Sequence, residues 1–131
     1  PKPSSAASDV YKRQALAERG NTVFCLQSDG SAQYTIQTLW SIAREQLPVI
    51  ILIAANHRYA ILQNELRRYG VTDFGPQALA LTELDRPRVD WKALAKGYGV
   101  PASSVRTNLE LRQALASAIA SAAPCLIEME L

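Results

Sequence analysis

The sequence has no apolar run long enough to cross a membrane. Its longest uninterrupted apolar run is the seven residues from Val49 to Ala55, whereas a spanning helix needs about 20. The amino-terminal residues also lack the apolar stretch, roughly 7 to 15 residues long, of a secretory signal. We therefore expect a cytoplasmic protein with no membrane partner.

Cysteine and histidine are scarce, with two cysteines and one histidine in 131 residues. Cys25 and Cys125 lie in separate apolar segments, and neither has a second cysteine or histidine at metal-ligand spacing, which argues against a zinc site. Both are predicted to be buried apolar side chains in a reducing compartment. The net charge of +2 is spread along the chain, so nucleic acid is not an expected partner.

Residues 1–14 look foreign to the rest of the chain. They are rich in Pro, Ser and Ala and end in SDVYKRQ, which has neither helical nor strand periodicity. The string resembles translated sequencing-adapter read-through, so we predict a non-native, disordered scar. The alternative is a genuine disordered terminus. One domain is then expected over residues 15–131.

Short apolar runs alternate with segments of helical periodicity along this domain. Strands are predicted at 22–27, 49–55, 104–106 and 125–130, helices at 32–47, 59–69, 91–98 and 108–122, and a long connection at 71–87. This alternation predicts an α/β fold with a doubly wound parallel sheet, whose ligand site lies at the carboxyl ends of the strands. Residues 15–19, closed by Gly20, indicate the last turn of a helix, so the sheet is expected to be truncated at its N-terminal side.

Polar residues follow two of the predicted strands. Asp29 and Gly30 come directly after the first strand, and Asn56 follows the second. Glycine lets a backbone approach a ligand closely, and free N–H groups at such a turn can bind an anion such as a diphosphate. Because carboxylate, amide and diphosphate oxygens are the ligands that Mg²⁺ prefers, we expect a magnesium site if the two strands are neighbours.

An Asp-Gly-Ser triplet followed 24 to 27 residues later by an asparagine resembles the signature of thiamine-diphosphate-dependent enzymes. The stretches DGSAQYTIQTLW at 29–40 and ALAKGYGV at 93–100 are similar to the acetolactate synthase and benzoylformate decarboxylase superfamily. This resemblance covers about residues 15–131 and implies a thiamine-diphosphate-binding fold, here the pyrophosphate-binding C-terminal domain.

The resemblance also implies a ligand set. Mg²⁺ would be held by Asp29, Asn56 and the backbone carbonyl of Arg58. The implied cofactor-binding residues are Ser28, Asp29, Gly30, Ser31, Asn56, Arg58, Tyr59 and Ala60. Two positions depart from the family's pattern, since Ser28 stands where a glycine is usual and Ala55 where an asparagine is usual. Neither change removes a metal-ligating side chain.

Other residues near this motif have more than one interpretation. Ile61 and Leu62 occupy positions that line the substrate pocket in the family, although ordinary core packing is the alternative. His57 follows a metal ligand and is either a loop residue or a substrate-side proton carrier. Glu45 and Glu65 are predicted to be solvated helix carboxylates.

The resemblance places the catalytic residues elsewhere. In the family, a glutamate from the pyrimidine-binding domain of a neighbouring subunit promotes cofactor deprotonation, so a homo-oligomeric parent is implied and the chain alone is expected to be inactive. In the family, the flavin contacts lie in a middle domain that the chain lacks. The sequence therefore leaves open whether the complete parent enzyme binds FAD.

The favoured function is that of an acetolactate synthase large-subunit-like enzyme, which decarboxylates a 2-keto acid and ligates the acyl carbanion equivalent. A benzoylformate decarboxylase-like enzyme, which releases an aldehyde instead, is the alternative. A third possibility, of another class, is a non-catalytic phosphate-binding module with a flavodoxin-like sheet.

Overall fold

A parallel sheet of four strands forms the centre of the computed structural model, which describes residues 7–18 and 20–131. The strands are β1 Val23–Ser28, β2 Val49–Ala55, β3 Ala102–Val105 and β4 Cys125–Glu130. Their order in the sheet is β1-β2-β4-β3, and each pairing is parallel. The predicted α/β class is confirmed.

Helices lie on both faces of this sheet. The described helices are α1 Ala7–Ala17, α2 Asp29–Ala32, α3 Thr38–Arg44, α4 Ala60–Arg68, α5 Pro76–Thr82, α6 Trp91–Gly97 and α7 Asn108–Ser121. The larger apolar core includes residues of α1, α3 and α6, and the smaller core, on the opposite face, includes residues of α7. Within residues 7–18 and 20–131, no helix combines the length and the apolar character that crossing a bilayer requires.

The central strand is β2, which pairs with β1 on one side and β4 on the other. Ile51 and Ile53 belong to the larger core and Ile50 to the smaller one. Because both faces of the strand are covered, its sequence is apolar at consecutive positions instead of alternating. This is the position that the sequence predicted for residues 49–55.

Two predicted segments differ from the structure. The helix expected over 32–47 is interrupted between α2 and α3, where Tyr34 N–H and Thr35 N–H bond to carbonyls only three residues back, as in tight turns. The connection expected over 71–87 contains α5, which begins at Pro76 after Gly75. Proline fits the first turn of a helix, where its missing N–H costs nothing, so there it indicated a helix start.

The expectation that residues 1–14 lie outside the fold is wrong for residues 7–14, which belong to α1. Tyr11 packs against the larger core, and Ala15 is completely buried in it. The four-residue spacing of these two side chains places both on one helix face. This spacing was the sequence feature that could have predicted the helix. Residues 1–6 lie outside the described residues, and the adapter origin stays a prediction.

Helix α1 covers Cys25 on β1. The thiol is 3% exposed, and its burial raises the pKa to about 11, although a hydrogen bond with Tyr11 acts in the opposite direction. Cys125 is only partly buried. The reactivity of Cys25 therefore depends on whether α1 covers β1, whereas that of Cys125, on β4, does not.

We expect Cys25 to react with iodoacetamide more slowly than Cys125 at about pH 8, because a buried thiol with a raised pKa supplies little accessible thiolate. Deleting residues 1–17 should accelerate the reaction of Cys25 and leave that of Cys125 unchanged. Mass spectrometry of the labelled peptides measures both rates. Equal Cys25 rates in the two proteins would show that α1 does not cover β1.

Candidate functional site

The candidate site lies at the carboxyl ends of β1 and β2. These strands are direct neighbours in a register that pairs Ser28 with Ala54. Asp29 begins α2 immediately after β1, and Asn56 immediately follows β2. The topology therefore brings together the two polar residues on which the predicted magnesium site depends.

Asp29 is buried, with 3% exposure, and its carboxylate accepts two backbone hydrogen bonds. Oδ1 accepts from Gly30 N–H at 2.8 Å, and Oδ2 accepts from His57 N–H at 2.6 Å. A carboxylate has about four lone-pair positions, so two remain for a cation. Sequence reasoning identified Asp29 but missed the contribution of the His57 backbone.

The chain turns sharply after Asn56. Its side-chain oxygen accepts from Arg58 N–H at 3.2 Å, a local bond by which asparagine commonly stabilises turns. His57 between them has φ +54°, a left-handed conformation that histidine adopts more often than most residues. This turn directs the His57 N–H towards Asp29.

The His57 ring lies between the aspartate and a second charged group. Its Nδ1 is 4.0 Å from Asp29 Oδ2, and its Nε2 contacts Arg88 Nη2. Sequence analysis did not single out Arg88, which is 31 positions from His57 along the chain.

An ion-pair network extends from Arg88 along the same sheet edge. Arg88 Nη2 is 3.9 Å from Glu130 Oε2, and Arg106 Nη2 is 2.8 Å from the same oxygen. Arg106 directly follows β3, Glu130 ends β4, and Arg88 lies in the loop before α6. No local motif unites them, so only the assembled sheet reveals the network.

Gly30 lies directly beneath the ring of Tyr59. A Cβ at position 30 would be 2.5 Å from Tyr59 Cε1, which is closer than side-chain carbons approach. Desolvation raises the pKa of Tyr59, as do its hydrogen bond with Tyr34 and the charge of Asp29. The Tyr59 ring therefore occupies the volume that a side chain at position 30 would need.

The remaining predicted site residues lie in the same two segments, around the start of α2 and at the start of α4. Ser28 Oγ and Ser31 Oγ are 2.9 Å apart, and Ala60 is the first residue of α4. Ile61 and Leu62 follow with 65% and 49% exposure, so core packing does not explain them.

Glu45 and Glu65, the two helix carboxylates predicted to be solvated, pair with arginines close to them along the chain. Glu45 lies 3.5 Å from Arg44 and Glu65 lies 2.8 Å from Arg68. The carboxylate of Glu45 is 51% exposed and that of Glu65 is 44% exposed. Both are solvated, as predicted.

The donor set of the site fits a hard cation better than zinc. No cluster of three or more His, Cys, Asp or Glu side chains suited to a metal occurs in residues 7–18 and 20–131. A carboxylate and an amide oxygen at the site are hard oxygen donors, and Mg²⁺ typically completes its coordination with phosphate oxygens and water. Asp29 and Asn56 could therefore hold Mg²⁺ together with a diphosphate.

Comparison with known proteins gives consistent results. A family model described as "Thiamine pyrophosphate enzyme, C-terminal TPP binding domain" matches residues 7–129. The chain is 47% identical over 116 residues to a Mycobacterium tuberculosis protein named "Putative acetolactate synthase large subunit IlvX". This match covers 88% of the chain and 22% of the relative. It is 37% identical over 114 residues to benzoylformate decarboxylase of Pseudomonas aeruginosa, covering 87% and 20%.

A solved structure has the same fold. It is a thiamine diphosphate-dependent 4-hydroxybenzoylformate decarboxylase of Rhodococcus jostii RHA1, which superposes with a TM-score of 0.77 at 34% identity and covers 88% of the chain. The chain spans about a fifth of the length of these relatives, with values of 22%, 20% and 21%. Since the family model matches nearly all described residues and two relatives exceed 30% identity, the chain belongs to the thiamine pyrophosphate enzymes and corresponds to their C-terminal TPP-binding domain.

Proposed function

We propose that the edge formed by Asp29, Gly30 and Asn56 binds the diphosphate of thiamine diphosphate together with Mg²⁺. The observation that carries this proposal is the buried Asp29 carboxylate, which is fixed by two backbone N–H groups and retains lone pairs for a cation. Burial makes a bare carboxylate costly. A divalent cation at this position offsets that cost.

Each residue has a distinct part in the proposed site. Asp29, Asn56 and the backbone carbonyl of Arg58 are the proposed metal ligands. The remaining contacts to the cofactor are assigned to the two segments that meet where the Tyr59 ring contacts Gly30. These residues are Ser28, Gly30, Ser31, Tyr59 and Ala60. Ile61 and Leu62 are exposed at the start of α4 and are proposed to contact the substrate.

The contribution of this chain is binding and orientation. Thiamine diphosphate, when bound, supplies the carbon nucleophile for chemistry next to a carbonyl group. The chain's own residues hold it rigidly, because Asp29 and the His57 turn are already hydrogen-bonded to each other and need no reorganisation. Glu45 and Glu65 are solvated, so the acid–base carboxylate is proposed to come from a partner domain of a neighbouring subunit in a homo-oligomer.

For the enzyme that carries this domain, we propose a cytoplasmic acetolactate synthase-like activity on a 2-keto acid. The relative at 47% identity supports carboligation. A benzoylformate decarboxylase-like reaction is the second candidate, supported by the relative at 37% identity and by the solved decarboxylase. The family match leaves the phosphate-binding signalling module without support.

Asp29→Asn is expected to weaken Mg²⁺-dependent cofactor binding by at least about tenfold, because a charged metal ligand is lost at nearly unchanged side-chain size. The amide nitrogen also cannot accept one of the two backbone hydrogen bonds that hold Asp29. Calorimetric titration of the enzyme with thiamine diphosphate and Mg²⁺ measures the dissociation constant. Asp73→Asn, at an exposed loop position, is the matched control and should bind normally. Unchanged affinity in Asp29→Asn would contradict the metal assignment.

Gly30→Ala is expected to reduce cofactor affinity, because its Cβ would displace the Tyr59 ring, which is proposed to contact the cofactor. The matched control is Gly97→Ala in α6, where a Cβ meets nothing within 4 Å. The same titration compares the two variants. If both bind the cofactor as tightly as the unsubstituted enzyme, the position of the Tyr59 ring against Gly30 does not contribute to cofactor binding.

Product analysis distinguishes the two candidate reactions. The enzyme is supplied with thiamine diphosphate and Mg²⁺ and is offered pyruvate and benzoylformate separately. Carboligation predicts acetolactate from pyruvate. Benzaldehyde from benzoylformate without acetolactate from pyruvate would instead favour the decarboxylase.

A further inference from the structure

Helices α4 and α5 form an excursion from the candidate site whose two ends are joined. Arg58 precedes α4 and Glu83 follows α5, and these two residues form an antiparallel bridge outside the main sheet. Tyr59 N–H donates to the Thr82 carbonyl at 2.7 Å, and Leu84 N–H donates to the His57 carbonyl at 2.7 Å. The residues around the His57 turn are therefore held by the end of α5.

The buried residues of these two helices are polar. Gln63 is the buried residue of α4, with 7% exposure, and Thr82 that of α5, with 5% exposure. Gln63 Nε2 donates to Thr82 Oγ1 at 2.9 Å, and Thr82 Oγ1 in turn donates to the Leu79 carbonyl at 3.0 Å. Because buried polar groups are costly unless paired, this bond favours one relative position of the two helices.

The effect of that bond continues to the site through short contacts. The Thr82 carbonyl holds Tyr59 N–H, and the Tyr59 ring lies against Gly30. Two residues earlier, His57 holds Asp29 through its N–H. A shift of α5 relative to α4 would therefore move both the ring above Gly30 and the hydrogen-bond donor of the aspartate.

We propose that Gln63 and Thr82 are positioning residues for the cofactor site, acting through the bridge between residues 58 and 83. Neither side chain is assigned a contact with the cofactor. The pair fixes the end of α5, which fixes the backbone of residues 57–59 over Asp29 and Gly30. This inference rests on the proposed function, in which those residues bind thiamine diphosphate and Mg²⁺.

Gln63→Met and Thr82→Val remove the hydrogen bond with little change in volume. Each is expected to weaken thiamine diphosphate binding in the presence of Mg²⁺ by about five- to tenfold, while turnover at saturating cofactor stays unchanged. The double variant should bind thiamine diphosphate as tightly as the more affected single variant, because the two side chains form one hydrogen bond and losing either partner removes it. Thr82→Ser keeps the hydroxyl and should bind the cofactor like the unsubstituted enzyme. Gln113→Met, at an exposed position of α7, is the matched control for Gln63→Met.

A second measurement is made without cofactor. Hydrogen exchange followed by mass spectrometry should be faster for a peptide spanning residues 56–62 in Gln63→Met and Thr82→Val, because the amides of His57 and Tyr59 lose their fixed acceptors. A peptide spanning β2 should exchange as in the unsubstituted enzyme. Faster exchange throughout the domain would instead indicate general destabilisation and would contradict a positioning role.

The two proposals fail in different ways. If the unsubstituted enzyme binds no thiamine diphosphate, the proposed function fails, and the exchange of residues 56–62 alone decides whether the pair holds the turn. If that enzyme binds the cofactor and both variants bind it equally well, the positioning role is wrong while the proposed function stands. Additive losses in the double variant would also overturn the role of the pair.

Discussion

The hydrogen bond from His57 N–H to the Asp29 carboxylate, at 2.6 Å, joins the ends of β1 and β2. It depends on the left-handed turn at His57, which Asn56 stabilises by accepting from Arg58 N–H. It also depends on the parallel register that brings the two strand ends level. This bond holds the Asp29 carboxylate against the His57 turn, two residues before Tyr59, whose ring lies against Gly30.

Different kinds of contact fix the strands and the loops around this bond. The apolar cores on both faces of the sheet fix the strands, and polar contacts fix the loops at their carboxyl ends. The Gln63–Thr82 bond connects to the His57 turn through Tyr59 N–H, and the Arg88–Glu130–Arg106 network connects to it through the His57 ring. Directional polar contacts specify loop position more sharply than apolar contacts, which tolerate small displacements.

Strand β1 carries exposed apolar side chains. Phe24 and Leu26 are 49% and 65% exposed, and within residues 7–18 and 20–131 this strand pairs with β2 alone. Exposed apolar side chains on a strand that pairs on one side favour association with other chains. The expected inactivity of the chain by itself stays a prediction.

The sequence by itself determined the class of fold and the residues of the candidate site. β2 has the predicted bounds, because consecutive β-branched and apolar residues are satisfied only in a strand covered on both faces. Asp29 and Asn56 were identifiable because each directly follows an apolar strand. Only the tertiary structure decided that α1 covers Cys25, that the helix predicted over 32–47 extends only over 38–44, that Gln63 bonds to Thr82 and that Arg88 contacts His57. These features depend on contacts between residues far apart along the chain, such as the 31 positions between His57 and Arg88, and local periodicity carries no information about such contacts.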